Sequence, residues 1–188
     1  MKEGGGGDNL AVAWKYPGQP TDVIPARFSR SELTWMKWDV PSLGAKLDSW
    51  TGIGGMSIAD LMSGTNNLAK APEKSEYLFN LLEAPSNWND DYGSRLSGWL
   101  VPPVSGDYIF FIASDDNGEL WLSTDDDPAN KFLACRQPFS AGSRQWDRYA
   151  EQKSGTIALV AGQAYYYEVR MIMSLLLCSL FVNRRSSF

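Results

Sequence analysis

Two adjacent aspartates, Asp115 and Asp116, follow an apolar run and stand directly before the turn pair Asn117-Gly118. Carboxylate oxygens suit a hard cation such as calcium, which takes about 6–8 oxygen ligands. Two carboxylates then leave places for carbonyls, waters and the vicinal hydroxyls of a sugar. In an extended strand neighbouring side chains point to opposite faces, so both groups reach one ion only if the backbone between them is unusual. The competing reading is a turn whose carboxylates accept backbone N–H groups. The run Asp125-Asp126-Asp127-Pro128 reads as a solvated acidic turn, and Asp90-Asp91-Tyr92 as a loop fixing the strand after it. Trp88, Trp99, Trp121 and Trp146 have faces that can stack on sugars, but large aromatics dominate cores.

Composition removes several chemistries. The 188 residues include no histidine, which excludes Ser-His-Asp and Cys-His catalysis and imidazole-bound zinc. Cys135 and Cys178 cannot build a Cys-rich metal site; they could pair in an oxidising compartment, while two isolated buried thiols are the plainer reading. A glycosidase needs only two carboxylates, yet no Asp or Glu stands in a recognisable catalytic setting, so a non-catalytic protein is expected. With net charge −5 and no basic cluster longer than Arg184-Arg185, a counterion-releasing nucleic-acid footprint is not expected. Met1-Lys2-Glu3-Gly4 lacks an apolar signal core, and the apolar run Met171 to Val182 is shorter than the ~20 residues a membrane helix needs, so no membrane span is expected.

The elements that must position these residues read as strands. Leu10, Val12 and Trp14 share one face of a strand over Asn9 to Trp14, preceded by Gly4 to Gly7. Pro17, Pro20 and Pro25 make Tyr16 to Arg30 an extended linker. Leu33 to Val40 reads as the first strand of the main domain. A glycine-rich turn region follows, then a short helical turn at Ser57 to Met62 capped by Ser57, and a loop from Asn66 to Lys74. Strands are expected at 95–101, 107–113, 119–123, 131–135, 156–160 and 164–171, separated by Pro and Gly turns. Tyr108 to Ala113 is apolar on both faces, which predicts a central strand. The fold class is all-β, an antiparallel β-sandwich with one short helical turn.

The order of motifs resembles a known family. Asp90-Asp91-Tyr92-Gly93 leads through Leu96-Ser97-Gly98-Trp99-Leu100 into Pro102-Pro103-Val104-Ser105-Gly106-Asp107-Tyr108-Ile109-Phe110. Ser114-Asp115-Asp116, Leu120-Trp121-Leu122, Leu159-Val160-Ala161-Gly162 and Tyr165-Tyr166-Tyr167-Glu168-Val169 follow. Over roughly residues 33 to 170 this is similar to the protective-antigen-type, or PA-fourteen, domain of toxins, flocculins, adhesins and glycosidase inserts. The resemblance implies a glycan-binding β-sandwich at the cell surface or outside the cell, part of a larger protein. It implies calcium on Asp115 and Asp116, brought together in the flocculin branch by a cis peptide. Its second ligand loop and last strand normally follow the tyrosine strand; here the matching piece, Gly4 to Trp14, stands at the start. The expected ligand-binding set is therefore Asp115, Asp116 and Asn117 with Asp8 and Asn9.

That displacement divides the chain into residues 1–16, a remnant of a preceding repeat or a swapped closing strand; a linker at 17–32; the sandwich at 33–182; and a polar tail at 183–188. Tandem copies of the domain are one expectation. Either the N-terminal strand folds back to close the sandwich, or Leu175 to Val182 closes it. A structural spacer or protein-interaction domain is the alternative function.

Overall fold

Alternation of apolar and polar side chains sets the pleat, and the computed structural model shows where each strand goes. It describes residues 8–31, 44–63, 68 and 70–174. The strands in chain order are β1 (Leu10–Lys15), β2 (Asp22–Val23), β3 (Ser29–Arg30), β4 (Ala45–Thr51), β5 (Lys74–Leu78), β6 (Tyr92–Leu100), β7 (Gly106–Ser114), β8 (Gly118–Ser123), β9 (Lys131–Gln137), β10 (Ile157–Leu159) and β11 (Tyr165–Met173). The small sheet runs β10-β7-β1-β2, and the large one β5-β4-β6-β11-β8-β9, with β3 beside β6. The strands pair antiparallel and the two sheets form a sandwich.

The core lies between the sheets. Leu10, Val12 and Trp14 of β1 and Tyr108, Phe110 and Ile112 of β7 face Leu96, Leu100, Leu120, Leu122, Tyr167 and Val169. Burying such side chains contributes roughly 1.5–3 kcal/mol each, and this supplies the drive to close the sandwich. On the other side of the large sheet, α1 (Ile58–Ser63) packs Ile58 and Leu61 against Trp50, Ile53 and Ile172. Its approach depends on Gly93, where a Cβ would lie 2.3 Å from Leu61 Cδ1. Ser57 starts the helix as expected: its N–H donates to Asp60 Oδ2 at 2.9 Å, and its Oγ accepts from the Asp60 N–H at 3.3 Å.

β1 is a full member of the small sheet. It pairs with β7 from Lys15↔Ile109 to Leu10↔Ser114. Its other edge pairs with β2 and exchanges hydrogen bonds with Leu82 and Ala84. Over its described residues, 17–31, the expected 17–32 linker is not an open linker. Prolines interrupt regular strand there, but Val23, Ile24 and Ala26 between them are apolar and buried. The Ile24 N–H donates to Val12 O, and the Leu82 N–H to Ile24 O.

Two strands were not read from the sequence: β4, beside the glycine-rich turn region, and β5, which begins at the last residue of the expected loop at Asn66 to Lys74. β4 carries a charge, Asp48, at a buried position, which masks its alternation, and β5 is a polar edge strand. β7 is central, between β10 and β1, with Ile109 and Phe111 of its outer face half-buried. Leu33 to Val40, Gly4 to Gly7, Leu175 to Val182, the 183–188 tail and Cys178 lie outside the described residues.

Candidate functional site

The β1–β7 register brings the two ends of the expected ligand set together. Because Leu10 pairs with Ser114, the residues just before β1 lie against those just after β7. The Asp115 N–H donates to Asn9 O at 3.1 Å. The peptide between Asp115 and Asp116 is cis, the geometry the family resemblance implied. Ser114 Oγ donates to Asp116 O at 2.9 Å, and the end of β11 holds the pair from below: the Asp116 N–H donates to Ile172 O, and the Ile172 N–H to Asn117 O. Asn117 thus contributes its carbonyl to the turn that opens β8.

The side chains are pinned individually. Asp8 is only 3% exposed, and its Oδ2 accepts from the Trp88 N–H and from Tyr92 Oη, both at 3.0 Å. Asp116 is 6% exposed, and its Oδ2 accepts from the Ser174 N–H at 3.1 Å. Asn9 Nδ2 donates to Ala141 O at 3.1 Å, so the atom its amide can offer a cation is the oxygen. Burial, then the negative charge of Asp8, its hydrogen bond and the charge of Asp115, push the Tyr92 phenol well above its ordinary pKa. One phenol therefore feels both carboxylates.

A loop from β9 walls this end. The Ala141 N–H donates to Ser114 O, and the buried Gln137 amide donates to Phe139 O, leaving the Phe139 ring 60% exposed. Arg144 closes the loop with a two-point bond to Glu83, at 3.0 and 2.7 Å. Gln152, buried, ties Ile112 O and Gln145 O together.

Every donor available here is oxygen: the Asp8, Asp115 and Asp116 carboxylates, the Asn9 amide and nearby carbonyls. That chemistry fits calcium rather than a soft metal. Among the described residues, no three His, Cys, Asp or Glu side chains are gathered for a metal. The fit is thus of carboxylate, amide and carbonyl oxygens combined, not of a ready carboxylate triad. Asp116 already accepts a backbone N–H, as the turn reading of Asp115-Asp116 describes, and Asp8 accepts one from Trp88.

Tyr92, the Trp88 and Ser174 amides and Ala141 O were not read from the sequence as part of this end. The stretch Asp90-Asp91-Tyr92 signalled a fixed loop, but no local pattern links Tyr92 to a residue 84 positions earlier. The tryptophans are engaged in packing. Trp88 meets Tyr92 edge-on at 5.0 Å, Trp99 Nε1 donates to Asp126 O, and Trp121 lies under the Arg170 guanidinium at 5.2 Å. Trp146 is half-buried. The Asp125 carboxylate accepts from the Asp127 N–H and Asn130 Nδ2, closing its own exposed turn.

Fold and site together define an antiparallel β-sandwich with an acidic, oxygen-rich loop cluster at one end. The model of the PA14 domain matches residues 65–174, more than half of the chain. The chain belongs to the PA14 domain family. β1 to β4, with Asp8 and Asn9, precede the matched residues.

Curated relatives agree over part of the chain. It is 34% identical over 93 residues to N-acetyl-beta-glucosaminyl-glycoprotein 4-beta-N-acetylgalactosaminyltransferase 1 of Mus musculus, which covers 47% of this chain and 9% of that protein. It is 31% identical over 80 residues to Fibrocystin-L of Mus musculus, covering 43% of this chain and 2% of that protein. Fibrocystin of Canis lupus familiaris is 30% identical over 86 residues, with 41% and 2% covered. The matched stretch is less than a tenth of each relative's length. No helix among the described residues is long and apolar enough to cross a membrane.

Proposed function

We propose that this chain is a non-catalytic carbohydrate-binding and adhesion module, calcium-dependent, within a larger surface or secreted protein. The observation that carries the reading is the β1–β7 register, which sets Asp8 and Asn9 against Asp115 and Asp116 at one end of the sandwich. Asp115 and Asp116 would hold the ion, with Asp8 and Asn9 completing its oxygen shell. A calcium ion held there would supply open coordination positions for vicinal sugar hydroxyls. The chain's own residues do the rest. Ser114, Ile172 and Ser174 fix the aspartate pair, and Phe139 offers an exposed apolar face suited to the C–H side of a sugar ring. The match to a glycosyltransferase acting on glycoproteins is in keeping with a glycan-handling context.

The test is retention on a glycan array in calcium and in chelator. Calcium-dependent binding to a defined set of glycans supports the reading; no retention under either condition contradicts it. One observation favours a spacer instead: the carboxylates of Asp8 and Asp116 already accept protein N–H groups. A melting temperature unchanged by calcium or chelator, together with an empty array, would establish the spacer.

A further inference from the structure

We propose that a recess on the outer face of the small sheet, at the end of β1 away from Asp115, is a second saccharide site that takes one neutral sugar ring without a metal ion. The recess has a volume of about 430 Å³ and is lined by Lys15 to Gln19, Asp107, Ile109 and Thr156. That lies within the roughly 300–1,000 Å³ usual for small-ligand sites. Strand register builds it. Lys15 pairs with Ile109, and because Ile157 pairs with Tyr108, Thr156 stands beside Ile109 on the other side. Asp107 is two residues along β7 from Ile109, so it shares that face. Ile109, half-buried, is the apolar floor.

The rim is fixed before any ligand arrives. Pro17 and Gly18 form the middle of a turn closed by the Gln19 N–H, which donates to Tyr16 O at 3.0 Å. Gly18 has φ +76°, as the third residue of a type II turn requires. The Tyr16 ring stacks on Tyr108 at 5.3 Å, and Pro17 lies so near Gly106 that a Cβ there would be 2.7 Å from its Cγ. A preformed rim leaves little to be ordered on binding.

The groups on offer are mixed. Lys15 donates, Asp107 accepts, and the Gln19 amide and Thr156 hydroxyl do both. Among the described residues none of these side chains has a hydrogen bond or an ion pair, although Lys15 and Asp107 line the same recess. One positive and one negative charge cancel, so a bound anion is opposed by Asp107 and a bound cation by Lys15. A neutral ring satisfies them all, with hydroxyls that both donate and accept and a C–H face for Ile109 and Pro17. The aspartate pair lies about 17 Å away along β7, at about 3.3 Å per residue, so this site does not rest on the calcium reading.

The test is a titration of the full chain, kept in chelator, with the methyl glycosides of glucose, galactose, mannose and N-acetylglucosamine, followed by amide NMR shifts. At least one glycoside is expected to move the Gly18, Gln19, Asp107 and Thr156 amides saturably and to leave Asp116 and Asn117 in place. So open a site implies a dissociation constant on the order of millimolar. Lys15→Met and Asp107→Ala change exposed side chains and are expected to keep the wild-type melting temperature. Each is expected to weaken the binding roughly 10-fold or more, since hydrogen bonds to charged groups are the strong ones. No saturable shift with any of these glycosides overturns the proposal, and so does unchanged affinity in both variants. Free glycine moving these amides where the glycosides do not makes the recess a zwitterion site and overturns it as well. All of these readings are taken without calcium, so their failure leaves the calcium reading to its own test.

Discussion

Trp14→Ala tests whether β1 is a working part of the sandwich. The side chain is 2% exposed and meets Tyr108 at 5.2 Å, Tyr16 at 5.3 Å and Phe28 at 5.5 Å. Burying an aromatic of this size removes roughly 150–250 Å² from water, and at about 25 cal/mol per Å² that is about 4–6 kcal/mol. Alanine retains part of this, and large-to-small changes at such sites measure about 3–5 kcal/mol. Against a total of about 5–15 kcal/mol, the loss is a large fraction of what holds the domain folded. At about 2–4 °C per kcal/mol for this size, a loss of about 4 kcal/mol lowers the melting temperature by roughly 8–16 °C. Calorimetry or circular dichroism reads it. Lys15→Ala is the control, one residue along the strand and exposed; it is expected to stay within about 0.5 kcal/mol of wild type. Equal melting temperatures for Trp14→Ala and the control would refute the docking of β1, and with it the joining of Asp8 to Asp115.

Two further outcomes follow from the buried groups. Burial works against the charged Asp48 carboxylate, but Ser75 at 2.6 Å, Arg95 at 2.9 Å and Lys46 at 3.0 Å outweigh it and hold its pKa below the usual range. A depressed folded pKa means stability is present above the ordinary carboxylate value of ~3.9 and is lost as pH falls through the folded value. Asp48→Asn is expected to cost roughly 2–3 kcal/mol at neutral pH, less than a fully buried pair because Arg95 and Lys46 are partly exposed. It should also flatten the acid limb below about pH 4 in melts across pH. Cys135 is buried and its thiol is pushed up to about 12 by desolvation, so in a Cys178→Ser variant it should react with a thiol reagent only on unfolding. Prompt reaction of the native protein, followed by absorbance, would contradict that packing.

Much of the fold was legible because the strands β6 to β11 are short alternating or apolar runs set between turn residues. Three regions were harder. β4 hides its period behind Asp48, a charge held in burial by Lys46 on the same strand and by Ser75 and Arg95 on β5 and β6. β5 is an edge strand with polar residues on both faces, so periodicity had little to show. Residues 17–32 carry prolines that argue for an open linker, yet Val23 and Ile24 find an edge of β1 to cover. At the site, Asp115 and Asp116 stood out because they are adjacent at the end of an apolar strand. The hydrogen bonds of Asp8 to Trp88 and Tyr92, each at least 80 residues away in sequence, could not, since they exist only once the sheets have closed.

Asp8 and Asn9 lie outside the residues that match the family, but β1 seats them beside the aspartate pair. In the calcium reading proposed above, that arrangement would make the N-terminal segment a contributor to binding as well as to stability. Its removal should therefore weaken the cation site as well as the fold, in proportion to the oxygens it withdraws.

Isothermal calorimetry of calcium binding to the wild-type chain, with Asp116→Asn and Asp8→Asn beside it, addresses the shared oxygen site most directly. The account expects saturable heat for one ion in the wild type, loss of that heat in Asp116→Asn, and weakened binding in Asp8→Asn. Folded wild-type protein that gives no heat with calcium, or an Asp116→Asn variant that binds as the wild type does, would contradict it.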